Sequence, residues 1–220
     1  ILDLFKSKNF KKAEILGKEL SLKYPEVAYL YNIVGLTLNA QKKTDEAIKN
    51  YLKGIDLEPN SAILYDNLGT AYKSKGLYDK AFNSYEKSIK LDSTKPEPYN
   101  NLGSLLLNRG DFKNAVENFK KALKINNNFF PSHYNLGITF TNIGKFDEAK
   151  KHLKKTIEIN PHFFSAHRNL SKLIKNKLND DHFISLKKIY NDTIYKNLDK
   201  TEIAFALGKA YEDVNDYKKS

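Results

Sequence analysis

The chain has 220 residues, 40% of them hydrophobic, and 37 basic against 26 acidic side chains give a formal net charge of +11. It has no cysteine, which excludes a disulfide framework, and no apolar run nears the ~20 residues of a membrane-spanning helix. The basic excess invites a nucleic-acid partner, but only Arg109 and Arg168 are arginine, the residue whose bidentate fork reads bases and phosphates. Lysines such as Lys42, Lys43, Lys49 and Lys53 fall on outward helix faces, so the charge reads as a solvated surface.

The opening ILDLFKSKNF lacks the pattern of a secretory signal, and a cytoplasmic location is expected. Residues 1–27 read as the back half of a repeat whose first helix is missing. Ala13 and Pro25 stand 34 residues before Ala47 and Pro59. From Ala28 four full units follow, spanning 28–163 and opening at residues 28, 62, 96 and 130. Counting slots from each opening, slot 8 holds Gly35, Gly69, Gly103 and Gly137, and slot 20 holds Ala47, Ala81, Ala115 and Ala149. Slot 4 holds Tyr31, Tyr65, Tyr99 and His133; slot 7 holds Val34, Leu68, Leu102 and Leu136; slot 24 holds Tyr51, Tyr85, Phe119 and Leu153. A fixed period of this length signals a stacked array.

Within each unit, apolar residues at i, i+3, i+4 and i+7 predict two amphipathic helices, over slots 2–14 and 18–31. Small residues at slots 8 and 20 let the two helices approach closely, and the aromatics are expected to fill the space between repeats. Gly76, Gly110 and Gly144 at slot 15 suit the end of a first helix, and Pro59 and Pro161 stop a second. This pattern resembles the tetratricopeptide repeat (TPR). The resemblance implies an all-α fold, a right-handed solenoid of antiparallel helix pairs whose first helices line a concave groove.

The pattern decays over 164–200. His167, Leu170 and Ile174 keep their slots, but slot 8 is Ser171 and slot 20 is Phe183, too bulky for close helix packing. Residues 179–190 read as a helix with an acidic N-terminal cap. A last unit begins near Thr201, with Leu207, Gly208 and Tyr211 in register, and breaks off within 201–220. The missing methionine and the mid-repeat end lead us to expect a piece of a longer protein.

No G-x-x-x-x-G-K or G-x-G-x-x-G loop is present to hold a phosphate, and the five histidines lack metal spacing. No cofactor, metal or catalytic residue is expected in this chain. Slot 6 carries the clearest candidate site: Asn67, Asn101, Asn135 and Asn169, each 34 residues from the next. An amide offers both donor and acceptor, so a row of them could pair with the backbone of an extended peptide whatever its sequence. This resembles the asparagine ladder of O-GlcNAc transferase repeats. The competing role is bonding to neighbouring helices. Flanking slots 5 and 9 add Asn100, Thr70, Ser104 and Tyr134, while Arg168, Lys172 and Lys175 make the C-terminal end basic and suited to an acidic segment. The lysine–asparagine clamp of chaperone-binding TPR domains is absent.

The expected function is a protein-interaction scaffold with a peptide partner in the groove. A second reading comes from Asp181–Ile184 and the tail FALGKAYEDVNDYKKS, which resemble the join between repeats and catalytic domain in TPR-containing sulfotransferases. That likeness implies a substrate-recognition array for a catalytic domain beyond Ser220.

Overall fold

The computed structural model describes residues 1–177, 180–192 and 200–214, and these residues are helical with no strand among them. Thirteen helices are described: α1 (Leu2–Lys6), α2 (Phe10–Lys23), α3 (Ala28–Ala40), α4 (Thr44–Leu57), α5 (Ala62–Ser74), α6 (Tyr78–Leu91), α7 (Pro96–Asn108), α8 (Phe112–Ile125), α9 (Phe130–Asn142), α10 (Phe146–Ile159), α11 (Phe164–Ser171), α12 (Asp181–Asn191) and α13 (Thr201–Asp213). They form two compact units, Ile1–Ile125 and Asn126–Ser220. The fold is all-α, and in each unit helix pairs joined by short turns stack on their neighbours.

The turn inside each pair depends on one residue in the left-handed region. Gly76, Gly110 and Gly144 take φ of +73°, +78° and +75° there, and the two earlier pairs place Lys8 (φ 59°) and Lys42 (φ 62°) at the same slot. Glycine accepts that conformation without a β-carbon penalty; lysine does not. The five-residue α1 stands before Lys8, where the last turn of a first helix falls in the later pairs.

Close approach of the paired helices comes from slot 8 facing slot 24 of the same pair. A β-carbon on Gly69 would lie 2.7 Å from Tyr85 Cε1, and one on Gly137 would lie 2.7 Å from Leu153 Cγ. The slot-24 side chains therefore fill the space within a repeat, against the expectation that they fill the space between repeats. Tyr51, Tyr85 and Phe119 are at most 1% exposed, a burial that stabilises by about 1.5–3 kcal/mol for a large apolar side chain.

The divergent stretch departs from this scheme. α11 is only eight residues long, and α13 packs against both α11 and α12. Phe183 is fully buried, its ring edge-on to Tyr211 with centroids 5.2 Å apart. The bulk at slot 20 is thus accommodated by α13. Asp180 stands at the N-cap of α12, but it makes no cap bond to that helix; its carboxylate accepts from the Lys177 backbone N–H at 2.8 Å. The parts of the sulfotransferase-like stretch at 215–220, and residue 179 of the proposed cap, lie outside the described residues.

Candidate functional site

The slot-6 asparagines sit half-buried on first helices. In unit 1, Asn67 Nδ2 on α5 donates to Asn32 Oδ1 on α3 at 2.8 Å, and Asn101 Nδ2 on α7 donates to Asp66 Oδ1 on α5 at 2.9 Å. In unit 2, Asn169 Nδ2 donates to Tyr134 Oη at 3.2 Å and to the Ser165 carbonyl at 2.8 Å. Asn135 occupies the same slot of α9, half-buried, and its backbone carbonyl accepts from Thr139 Oγ1 at 2.7 Å.

Each of these bonds to a neighbouring helix runs from slot 6 to slot 5 of the repeat before it. The geometry follows from the stacking: residues 35 apart on adjacent first helices face each other. The amide nitrogens of Asn67, Asn101 and Asn169 are therefore used to join repeats, while Oδ1 of Asn67 and of Asn101 accepts no bond among the described residues.

The flanking slots add polar groups to the same face. Thr70 Oγ1 accepts from Tyr85 Oη at 3.3 Å, and burial pushes that phenol up to about 12. Ser104 Oγ accepts from Lys73 Nζ at 2.7 Å, and burial pushes the Lys73 ammonium below its ordinary value. Asn100 is buried on α7. Lys73 was not singled out by the sequence, although it lies three residues, about one helical turn, after Thr70 and so shares its face.

In unit 2, Tyr134 packs edge-on to Phe163 with centroids 4.8 Å apart. Arg168 Nη1 meets Glu202 Oε1 at 2.9 Å, and its guanidinium lies 4.8 Å from the Phe205 ring centroid, which Lys172 Nζ also approaches at 5.7 Å. Glu202 thus balances the arginine expected to make this end basic; Lys172 stays exposed. Glu202 was not legible as a partner, because a last unit counted from Thr201 puts it at slot 2, away from the slots that line the groove.

The slot-4 histidines have a structural role. Tyr31 Oη donates to the Pro25 carbonyl at 3.1 Å. His133 Nε2 faces the Asn127 carbonyl at 3.0 Å, and His167 Nε2 the Pro161 carbonyl at 2.9 Å. A carbonyl only accepts, so Nε2 carries the proton in both rings. His167 is fully buried and stacked on His182, with centroids 5.5 Å apart and planes 12° apart. Burial, then the neighbouring His167 ring, hold His182 down at about 4. Among the described residues no three His, Asp or Glu side chains converge as a metal site, and no helix is long and apolar enough to cross a membrane.

Two sequence models of one family match this chain: TPR repeat over residues 35–76 and 69–110, and tetratricopeptide repeat over 96–129 and 130–163. No curated protein matches the sequence. Among solved structures, the chain is similar to MamA, at 25% identity over 86% of this chain and 92% of that one, with a TM-score of 0.59. It shares its fold with pilF of Pseudomonas aeruginosa, at 18% identity over 88% of each chain and a TM-score of 0.70. The first TPR of Spaghetti (RPAP3), solved bound to the HSP90 peptide SRMEEVD, is 26% identical over 51% of this chain and 90% of that one, with a TM-score of 0.50. The matched repeats run through residues 35–163, more than half of the sequence, and the chain belongs to the tetratricopeptide-repeat family.

Proposed function

We propose that this chain is a protein-interaction module that binds an extended peptide along the first-helix face, its ladder asparagines pairing with the peptide backbone. The observation that carries this reading is the orientation of Asn67 and Asn101. Each amide is fixed by one bond through Nδ2 to the neighbouring helix, while its Oδ1 accepts no bond among the described residues. A side chain already held in place loses less entropy when it binds. Asn100, Thr70 and Ser104 extend the polar row in the first unit, Asn135, Asn169 and Tyr134 form the corresponding row of the second, and the likeness to a TPR array solved with a peptide bound supports a peptide as the kind of partner. Arg168 contributes less to an acidic partner than its charge suggests, since Glu202 already pairs with it; Lys172 and Lys175 stay exposed. The sulfotransferase role gains nothing from the comparisons and is not part of the proposal.

The test is a peptide array followed by affinity measurement on Asn67→Ala/Asn101→Ala. Asn50→Ala/Asn118→Ala serves as control, since those amides bond to carbonyls within the second helices α4 and α8. The ladder variant should bind peptides of unrelated sequence more weakly, by about 0.5–1.5 kcal/mol per lost bond. The control should bind as the parent does. Unchanged affinity in a ladder variant that still folds would overturn the reading.

A further inference from the structure

In unit 1 a cavity of about 390 Å³ opens beside the ladder, between the N-terminal ends of α5 and α7. Ile63 and Pro98 form apolar wall, and Ile63 is 59% exposed. Two carboxylates, Asp66 and Glu97, line the same space. Neither forms an ion pair among the described residues, in a chain with 37 basic side chains. The other charged groups at the rim answer one another: Asp92 accepts from the Thr94 hydroxyl and backbone N–H, and the Lys95 charge favours its ionised form.

The charge on Asp66 is not required by the ladder. At the equivalent position one repeat earlier, neutral Asn32 accepts the same bond from Asn67 that Asp66 accepts from Asn101. Burial, with the Glu97 charge adding to it, pushes the Asp66 carboxyl up to about 6, so the ionised form is held at a cost. A cation in the cavity would remove that cost.

We propose that this cavity receives an arginine side chain of the bound peptide, its guanidinium against Asp66 and Glu97 and its stem along Ile63 and Pro98. The proposal rests on the peptide-binding reading and adds the side-chain chemistry. Charge complementarity selects a cation, and the apolar walls favour arginine, whose guanidinium is less strongly hydrated than an ammonium and pairs bidentately with a carboxylate. The net charge of +11 does not oppose this, because screening confines repulsion to roughly 8 Å at physiological salt.

The experiment follows the Asp66 and Glu97 carboxyl carbons by NMR in the full chain. It titrates acetylated, amidated tripeptides with arginine, citrulline or glutamate between two glycines, and spermidine separately. The arginine tripeptide should lower the Asp66 titration midpoint and the others should not. Asp66→Asn should weaken arginine-tripeptide binding at least tenfold, and Glu97→Gln should weaken it less. Equal binding of the arginine and citrulline tripeptides, with the Asp66 midpoint unmoved, would overturn the subsite and leave backbone recognition standing. Spermidine binding more tightly than the arginine tripeptide would overturn the peptide side chain as occupant. If neither these probes nor longer peptides perturb the first-helix face, both the subsite and the peptide-binding reading fail.

Discussion

Gly103 lies beneath the ring of Phe119, so close that a β-carbon on Gly103 would fall 2.7 Å from Phe119 Cε1. Alanine is normally better than glycine in a helix by about 1 kcal/mol, yet overpacking costs about 1–3 kcal/mol. Gly103→Ala should therefore destabilise the fold by up to about 2 kcal/mol. In a Phe119→Ala background, itself weaker by about 3–5 kcal/mol, the same change should become stabilising. A double-mutant cycle in urea measures this; additive effects would show that the contact does not limit helix approach.

Lys42 holds a left-handed conformation that the next pair gives to Gly76. Lys42→Gly should stabilise by about 1 kcal/mol, the left-handed penalty less the entropy that glycine adds to the unfolded chain. Gly76→Ala should destabilise by about 1–2 kcal/mol although a β-carbon there meets nothing within 4 Å, because only the backbone conformation resists it. Thermal melts of the two variants should move in opposite directions.

The periodicity made the helices and their buried faces legible, because one pattern repeated at a fixed spacing constrains every unit at once. What it could not supply was the partner of each slot. The ring of Phe119 goes to Gly103 of its own pair, and His167 holds the Pro161 carbonyl as Tyr31 holds that of Pro25. These are facts of orientation, which spacing does not carry. The ladder asparagines were legible as a row, but their bonds depend on helices stacking one residue out of the repeat step. The cavity at Asp66 was not legible, because it forms only where Glu97, 31 residues on, meets it across two helices.

Asp66 and His182 give the two units opposite responses to acid. The Asp66 carboxyl lies at about 6 against an ordinary 3.8, so its contribution is fully present below 3.8 and is lost as pH rises through 6. His182 lies at about 4 against 6.5, so its contribution is present above 6.5 and is lost as pH falls through 4. Glu14, held at about 2 by the hydrogen bonds from Lys18 and Lys43, loses its contribution only below 4.5. From pH 6.5 to 4.5, amide protection should rise around α5 and fall around α11 and α12, by at most about 3 kcal/mol each. Hydrogen exchange measures both. Asp66→Asn should flatten the first trend and His182→Phe the second; parallel trends in both units would contradict the assignment.

A peptide backbone lying along the ladder would report itself in the side-chain amide signals of the asparagines. The full chain, labelled with ¹⁵N, is titrated with the tightest uncharged peptide from the array. The Asn67 and Asn101 side-chain amides of the first unit should shift together and saturate, while Asn50 and Asn118 on the second helices of the same unit stay fixed. Saturable binding that moves Asn50 and Asn118 and leaves the ladder signals in place would put the peptide on the second-helix face and rule out backbone pairing by the ladder.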